Sequence, residues 1–266
     1  MNNQEFAREM RRLILEGIYR AKSGHPGGSL SCTDILAVLF NEEMNISPKD
    51  PSDPARDRFV LSKGHACPAL YAALALKGYF PAEELKNLRK IGSYLQGHPD
   101  MKHIPGVDMS TGSLGQGIST ACGMALSAKR KGENYRVYAV LGDGECQEGQ
   151  VWEAMMFAAH YKLDNLCFFI DNNGLQIDGK ITDVMSPLPF EEKLTAFGMN
   201  LIKIDGHSHE EIKKALDDAR TVKGKPTAIL AKTVKGKGVS FMEDVASWHG
   251  TAPNEEQYNQ AIGEVM

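Results

Sequence analysis

The chain has 266 residues, 42% of them hydrophobic and 24% charged, with a formal net charge of −4. That composition suits a globular chain with room for one large α/β domain, and its scattered positive charges exclude a basic face for nucleic acid or an anionic membrane. No apolar run approaches the roughly 20 residues of a membrane span, and the polar start MNNQEFAREMRR lacks a signal peptide's apolar core.

In chain order, a helix is predicted over 4–22, QEFAREMRRLILEGIYRAK, ending near Gly24. A second covers 32–44 and a Pro/Asp-rich loop follows at 46–57. RFVLS (58–62) reads as a strand, HACPALYAALALKG (65–78) as a buried helix, and PAEELKNLRK (81–90) as an exposed helix opened by Pro81. Glycines then cluster through 93–117, a long irregular stretch of the kind that carries function. A small-residue helix over 114–129 leads to the strand RVYAVLGD (136–143), a helix over 149–162 and the strand LCFFIDN (166–172). After a loop come a helix over 190–198, the strand NLIKID (200–205), a helix over 209–221 and the strand PTAILAK (226–232). Alternating strands and helices predict a doubly wound, mainly parallel sheet with helices on both faces, as one domain over 1–266. Ligands of such sheets bind beyond the carboxyl ends of the strands. Asp143, Asn173 and the loop after TAILAK all fall there.

Two of those loops read GDGECQEG (142–149) and DNNGL (171–175). The glycines let backbone approach a ligand, and the helix that follows the first loop turns its N–H groups and positive dipole end toward it, which suits a diphosphate. Asp143 would repel that diphosphate unless a divalent cation sat between them. Asn173 offers an amide oxygen and the strand end near Leu175 a carbonyl; with Asp143, two diphosphate oxygens and a water they make about six hard ligands, the set of Mg²⁺, for which Ca²⁺ or Mn²⁺ can substitute. Either loop alone reads as a tight turn; their pairing after two buried strands points to a metal–diphosphate clamp.

GHPGG (24–28), KGHA (63–66), GHPD (97–100) and SWHG (247–250) each put a histidine beside glycine and account for four of the eight histidines. They suggest a polar pocket that binds hydroxyls and moves protons. The pairs His98/His103 and His207/His209 lack the spacing of a helical zinc pair, and His207 and His209, at the start of a charged helix, read as capping or surface residues. The five cysteines are odd in number, widely spaced and without a CxxC pair, which argues against a disulfide framework and for reduced thiols in a cytoplasmic protein. Cys146 lies in the GDG loop but has no basic neighbour in sequence to make it a nucleophile.

SGHPGG, DRFVLSKGHA, GHPD, TGSLGQG, GDGECQEG, DNNGLQIDG and KTVKGKGVSFMED followed by SWHG occur here in the order found in transketolases, so the chain resembles that family from about residue 10 to residue 253. GDG with NN about thirty residues on is similar to the wider thiamine-diphosphate signature; the histidine-bearing segments narrow it. The resemblance implies that Asp143, Asn173 and the carbonyl of Leu175 hold the cation. Gly144 would hold the diphosphate, with Lys63, His65 and Lys235. Gly112, Ser113 and Leu114 would line the cofactor, with His249 close by, and Ile177 would be an apolar wall. His25, His65, His98 and His249 would contact sugars or the cofactor and assist proton transfer, and Glu148 would join a proton-sharing network at a subunit interface. A plain alternative for Glu148 is an acid at a helix N-terminus.

Single-chain members continue into a second domain that holds the aminopyrimidine and carries the activating glutamate; no acid here matches it. The expectation is therefore the N-terminal subunit of a split transketolase, active with a separate C-terminal subunit in a heterotetramer of two plus two chains, transferring a two-carbon ketol unit between sugar phosphates. Pentose phosphates are the default sugars; sulfonated or branched ones stay open. Rival readings are the α-subunit of a 2-oxoacid dehydrogenase decarboxylase, a relative of deoxyxylulose-phosphate synthase, a non-catalytic thiamine-diphosphate-binding module, and a nicotinamide-binding domain, the last without a GxGxxG to support it.

Overall fold

A computed structural model describes all residues, 1–266. Its strands are β1 (Arg58–Leu61), β2 (Val137–Gly142), β3 (Leu166–Asn172), a small antiparallel hairpin of β4 (Leu175–Gln176) and β5 (Gly179–Lys180), β6 (Asn200–Asp205) and β7 (Thr227–Lys232). The main sheet runs β1-β2-β3-β7-β6 with every pair parallel. The helices are α1 (Asn3–Ala21), α2 (Pro26–Ser31), α3 (Thr33–Val38), α4 (Cys67–Lys77), α5 (Gln116–Lys131), α6 (Gly149–His160), α7 (Ile181–Val184), α8 (Phe190–Ala196), α9 (His209–Thr221) and α10 (Glu255–Val265).

The strands are continuously apolar because both faces are covered. Side chains alternate across a strand, so Phe59, Leu61, Tyr138, Val140, Phe169 and Ile229 pack on one face with α1, α3, α4, α9 and α10. Val60, Val137, Ala139, Leu141, Phe168, Ile170 and Ala228 pack on the other with α5, α6 and α8. The predicted doubly wound fold is the observed one. Phe168 and Phe169 are both fully buried, one on each face; truncating either to alanine should cost roughly 3–5 kcal/mol.

Local chemistry sets several boundaries. Asn2 and Glu5 form a reciprocal capping box at the start of α1 (2.9 and 3.0 Å). Pro26 opens α2, a helical turn between the two helices expected over 4–22 and 32–44. The helix expected over 32–44 begins as α3 and finishes as a π-turn, Leu39–Glu43. The helix expected over 81–90 is only a 3₁₀ segment, Ala82–Asn87. There the Leu85 carbonyl approaches α1 so closely at Gly17 that an added Cβ would stand 3.1 Å from it, and Arg89 ends the segment at φ 59°. α10, which periodicity does not single out, carries its own capping box at Asn254 and stacks Tyr258 on Tyr19 of α1 (4.2 Å between ring centres). His207 and His209 neither cap nor lie free: Ser208 caps α9, while both imidazoles converge on buried Asp34.

The register brings the site together. Gly142 pairs with Asp171, and Asn172 with Lys232, so β2, β3 and β7 end level with one another. The chain continues from each end into a loop at the same rim.

Candidate functional site at the carboxyl edge of the sheet

A cleft of about 370 Å³ opens over the ends of β2, β3 and β7. All the residues that the resemblance assigns to cation, cofactor or sugar line it except His98 and Ser113. His98 stands at its edge, packed so tightly on Gly112 that a Cβ there would fall 2.9 Å from its ring. Ser113 is exposed beside Leu114.

The GDG loop folds as a 3₁₀ turn, Gly144–Gln147, leading into α6. Asp143 is buried, and its carboxylate accepts the N–H of Gly144 (2.8 Å) and, from the neighbouring loop, that of Gly174 (2.5 Å). Gly174 is a glycine for a reason: its φ of +81° is the left-handed turn that aims this N–H at Asp143. Asn173 is buried too; its Oδ1 accepts the Leu175 N–H (3.1 Å). The Leu175 carbonyl accepts from Lys235 Nζ (3.1 Å), which also meets His249 Nδ1 at 3.1 Å. His25, His65 and His249 pack against one another with ring centres 5.1–5.3 Å apart.

Burial sets the protonation states. It pushes Asp143 up to about 6, with the Asp171 charge adding to it. It lowers His25 to about 4, aided by Arg89, and His249 to about 3, aided by Lys235; His65 is lowered as well, by burial and then by Lys63. Burial and the charge of Lys63 bring Lys235 down to about 8. Near neutral pH the cleft thus offers an ionised carboxylate, a mostly protonated ammonium and three neutral imidazoles, each able to give or take a hydrogen bond.

Lys63 lines the cleft but is already committed. Its ammonium donates to the Gly28 carbonyl (2.8 Å), Ser31 Oγ (3.4 Å) and the Asp171 carboxylate, with both charged side chains fully buried. Asp171 also accepts from Ser31 Oγ (2.6 Å) and Thr233 Oγ1, so one carboxylate pins the loops after β1 and β7 and the α2 turn. Toward a diphosphate, Lys63 would therefore be a fixed charge in the cleft wall, and Lys235, with fewer partners, the freer ammonium. Glu148 is the N-cap residue just before α6, exposed and with no side-chain capping bond. Ile177 is 66% exposed on the β4–β5 hairpin. Cys146 is buried, its thiol pushed well up by burial; all five cysteines are buried and unpaired.

Sequence reasoning passed over three groups. Buried Glu145 accepts Ser62 Oγ (2.5 Å), the Gly115 N–H (2.8 Å) and the Gly142 N–H (3.0 Å), clamping the TGSLGQG loop to the GDG loop. Asp171 went unread because DNN draws attention to its asparagines. Arg89 lies far from any motif, yet its guanidinium meets Ser23 Oγ (2.8 Å) and His25 Nδ1 (3.4 Å), and its Nε is buried without a partner. A cation beside His25 and near the edge histidine His98, with no carboxylate on it, could only have been found by folding the chain.

Nowhere do three or more His, Cys, Asp or Glu side chains converge as a metal site. The clamp instead offers one carboxylate, one amide oxygen and one carbonyl, an all-oxygen set that fits a hard cation completing its shell with ligand oxygens.

Similar proteins identify the family. Residues 2–263 match the family described as "Transketolase, thiamine diphosphate binding domain". The 6-deoxy-6-sulfo-D-fructose transketolase subunit SqwG of Clostridium sp. is 48% identical over 98% of this chain and 95% of its own length. An apulose-4-phosphate transketolase subunit from Phocaeicola vulgatus is 42% identical over 96% of this chain and 90% of its own. The solved transketolase of Leishmania mexicana superposes with a TM-score of 0.94 at 34% identity, covering 100% of this chain and 41% of that one. The chain thus spans under half of that transketolase and nearly the whole of two proteins named as transketolase subunits. By sequence and by fold, the chain belongs to the transketolase family, as its thiamine diphosphate binding domain.

Proposed function

We propose that the chain is the N-terminal, diphosphate-side subunit of a two-chain transketolase, one domain over residues 1–266 that transfers a two-carbon ketol unit from a ketose phosphate to an aldose phosphate only with its partner. The observation that carries the reading is the convergence of Asp143, Asn173, the Leu175 carbonyl and Lys235 on one rim, from three loops far apart in sequence.

Asp143, Asn173 and the Leu175 carbonyl hold Mg²⁺, with Ca²⁺ or Mn²⁺ as substitutes. The Gly144 region, Lys235 and His65 hold the diphosphate, and Lys63 adds charge from behind. Gly112, Ser113, Leu114 and Ile177 face the rest of the cofactor. When bound, thiamine diphosphate supplies the carbanion chemistry that breaks and forms the bond next to a ketose carbonyl. The protein supplies placement and protons. His25 and His249, partly buried beside cations and so held neutral, and the exposed His98, lowered by desolvation and then by the Arg89 charge, donate hydrogen bonds to sugar hydroxyls and pass a proton at a ring nitrogen. Arg89 holds His25 in place and adds positive charge where an anionic or hydroxyl-rich sugar enters.

The exposed Ile177 is an apolar wall left bare, and a separate C-terminal subunit covers it, brings the activating acid and completes a heterotetramer of two plus two chains, Glu148 facing that junction. Buried, unpaired thiols suit a cytoplasmic protein. No helix is long and apolar enough to cross a membrane, and the partners are sugars and protein rather than nucleic acid. The names of the two subunit relatives widen the candidate sugars beyond pentose phosphates, to 6-deoxy-6-sulfo-D-fructose and apulose-4-phosphate. The test is a ketol-transfer assay on the purified chain with thiamine diphosphate and Mg²⁺, with and without the candidate partner subunit. Transfer should appear only with both; substantial transfer by this chain alone would overturn the reading.

A further inference from the structure

A second cavity of about 490 Å³ shares no residue with the cofactor cleft; Arg8, Arg11, Asp34, His207, His209 and Lys237 are among its walls. The two cavities lie along one loop, since Lys235 lines the first and Lys237 the second. At the base of the second, Asp34 is buried and receives Arg11 on both oxygens (2.6 and 3.2 Å), His209 Nε2 at 3.0 Å and His207 Nδ1 at 2.7 Å. Burial alone would raise this acid, but the hydrogen bonds from the two histidines and the Arg11 charge hold it well below the usual carboxylate range.

The other nitrogen of His207 faces the active-site loop: Nε2 meets the backbone N–H of Val234 at 2.9 Å. A backbone N–H can only donate, so Nε2 carries the lone pair and the ring proton is on Nδ1, given to Asp34. Arg11 makes a second link, Nε to the Lys237 carbonyl at 3.2 Å. Both ends of the 234–237 segment therefore hang from one carboxylate on α3. Between them Gly236 N–H is bonded to the Gly27 carbonyl (3.0 Å) of the α2 turn, and Lys235 reaches into the cleft to the Leu175 carbonyl and His249.

We propose that His207 is a positioning residue: as the Nδ1–H tautomer it ties the 234–237 segment to Asp34 and so fixes where the Lys235 ammonium meets the diphosphate of the cofactor, with Arg11 as the second tie. This rests on the cofactor reading above and extends it to residues outside the cleft. Neither residue touches the ligand. Their effect passes entirely through the position of Lys235.

The two ring nitrogens can be replaced one at a time. His207→Asn keeps an amide donor near Asp34 and removes the acceptor for Val234; His207→Gln puts an amide oxygen where Nε2 stood. Affinity of the full chain for thiamine diphosphate with Mg²⁺ is read from the fluorescence of Trp152 and Trp248. His207→Asn should bind about ten-fold more weakly, and Arg11→Lys about three-fold, while His207→Gln stays within about two-fold of wild type. His209→Asn, which touches Asp34 but not the 234–237 segment, should bind as wild type does. In a Lys235→Ala background every one of these differences should vanish, because coupled residues are not additive. Unchanged binding by folded His207→Asn, no rescue by glutamine, or the same losses after Lys235→Ala would each overturn the proposal. If His207→Asn does not fold by circular dichroism, Arg11→Lys carries the cycle, and additivity with Lys235→Ala overturns it equally. Absence of saturable binding by the wild-type chain would instead overturn the cofactor reading, and this inference with it.

Discussion

Asp143 and Asp171 stand at the ends of neighbouring strands, both buried, linked by a backbone hydrogen bond from Asp143 N–H to the Asp171 carbonyl (3.3 Å). Their proton affinities move in opposite directions. Burial pushes Asp143 up to about 6. Burial acts on Asp171 too, but the Lys63 charge, the hydrogen bond from Lys63 and those from Ser31 and Thr233 overcome it and hold that carboxyl below the usual range. The difference lies in partners: Asp171 has an ammonium and two hydroxyls, Asp143 only backbone N–H groups. One carboxylate builds the site and is complete within the chain. The other is left short of positive charge, the condition expected of a group that a cation will join.

That contrast can be broken most forcefully at Asp171. Asp171→Asn leaves the Lys63 ammonium buried and unpaired and should destabilise the chain by about 3–5 kcal/mol, read from urea unfolding of the ligand-free protein. A loss below about 1 kcal/mol would mean the pair does not organise the rim.

Next in size is the effect of pH through Asp143. Its carboxyl holds a proton more tightly folded than unfolded, so the ligand-free chain gains stability from it at low pH and gives that up as pH rises from about 4 to about 6, a change of about 3 kcal/mol. Asp171 works the other way, adding stability above the ordinary carboxylate range and losing it only below. Asp143→Asn should therefore flatten the limb of the unfolding curve between about pH 4 and 6 while leaving the more acidic limb intact. Mg²⁺-dependent cofactor affinity of the wild type should fall below about pH 6, because the cation must displace that proton.

Glu145→Gln sharpens the comparison on a smaller scale. An amide cannot accept at both ends, so one of the three donors now on Glu145 is stranded, at a cost on the order of 2 kcal/mol, measurable by chemical denaturation. Smallest in stability is Ile177→Ser, expected within about 0.5 kcal/mol of wild type in the isolated chain because the side chain is largely exposed. Its effect should surface only with the partner, as weaker assembly in analytical ultracentrifugation.

Much of this was legible before folding. The strands could be read because a sheet covered on both faces demands unbroken apolar runs, as in VYAVL and LCFFI. The meeting of the GDG and NNG loops could be read because each follows a buried strand of one parallel sheet, whose carboxyl ends share a rim. The second rank of the site could not. Asp34, Glu145, Asp171 and Arg89 take their meaning from partners 23 to 175 residues away in sequence, such as Lys63 for Asp171, His209 for Asp34 and Ser23 for Arg89. His207 and His209 looked like surface groups at a helix start, and only the approach of α3 turned them inward. The short 3₁₀ segment at Ala82–Asn87 escaped for a similar reason, its geometry set by Gly17 of another helix.

The most direct measurement is an anomalous difference map from crystals grown with thiamine diphosphate and Mn²⁺ in place of Mg²⁺. A single strong peak is expected, bounded by an Asp143 carboxylate oxygen, Asn173 Oδ1 and the Leu175 carbonyl, in contact with the diphosphate. A bound cofactor whose metal peak lies away from those three oxygens would contradict the clamp.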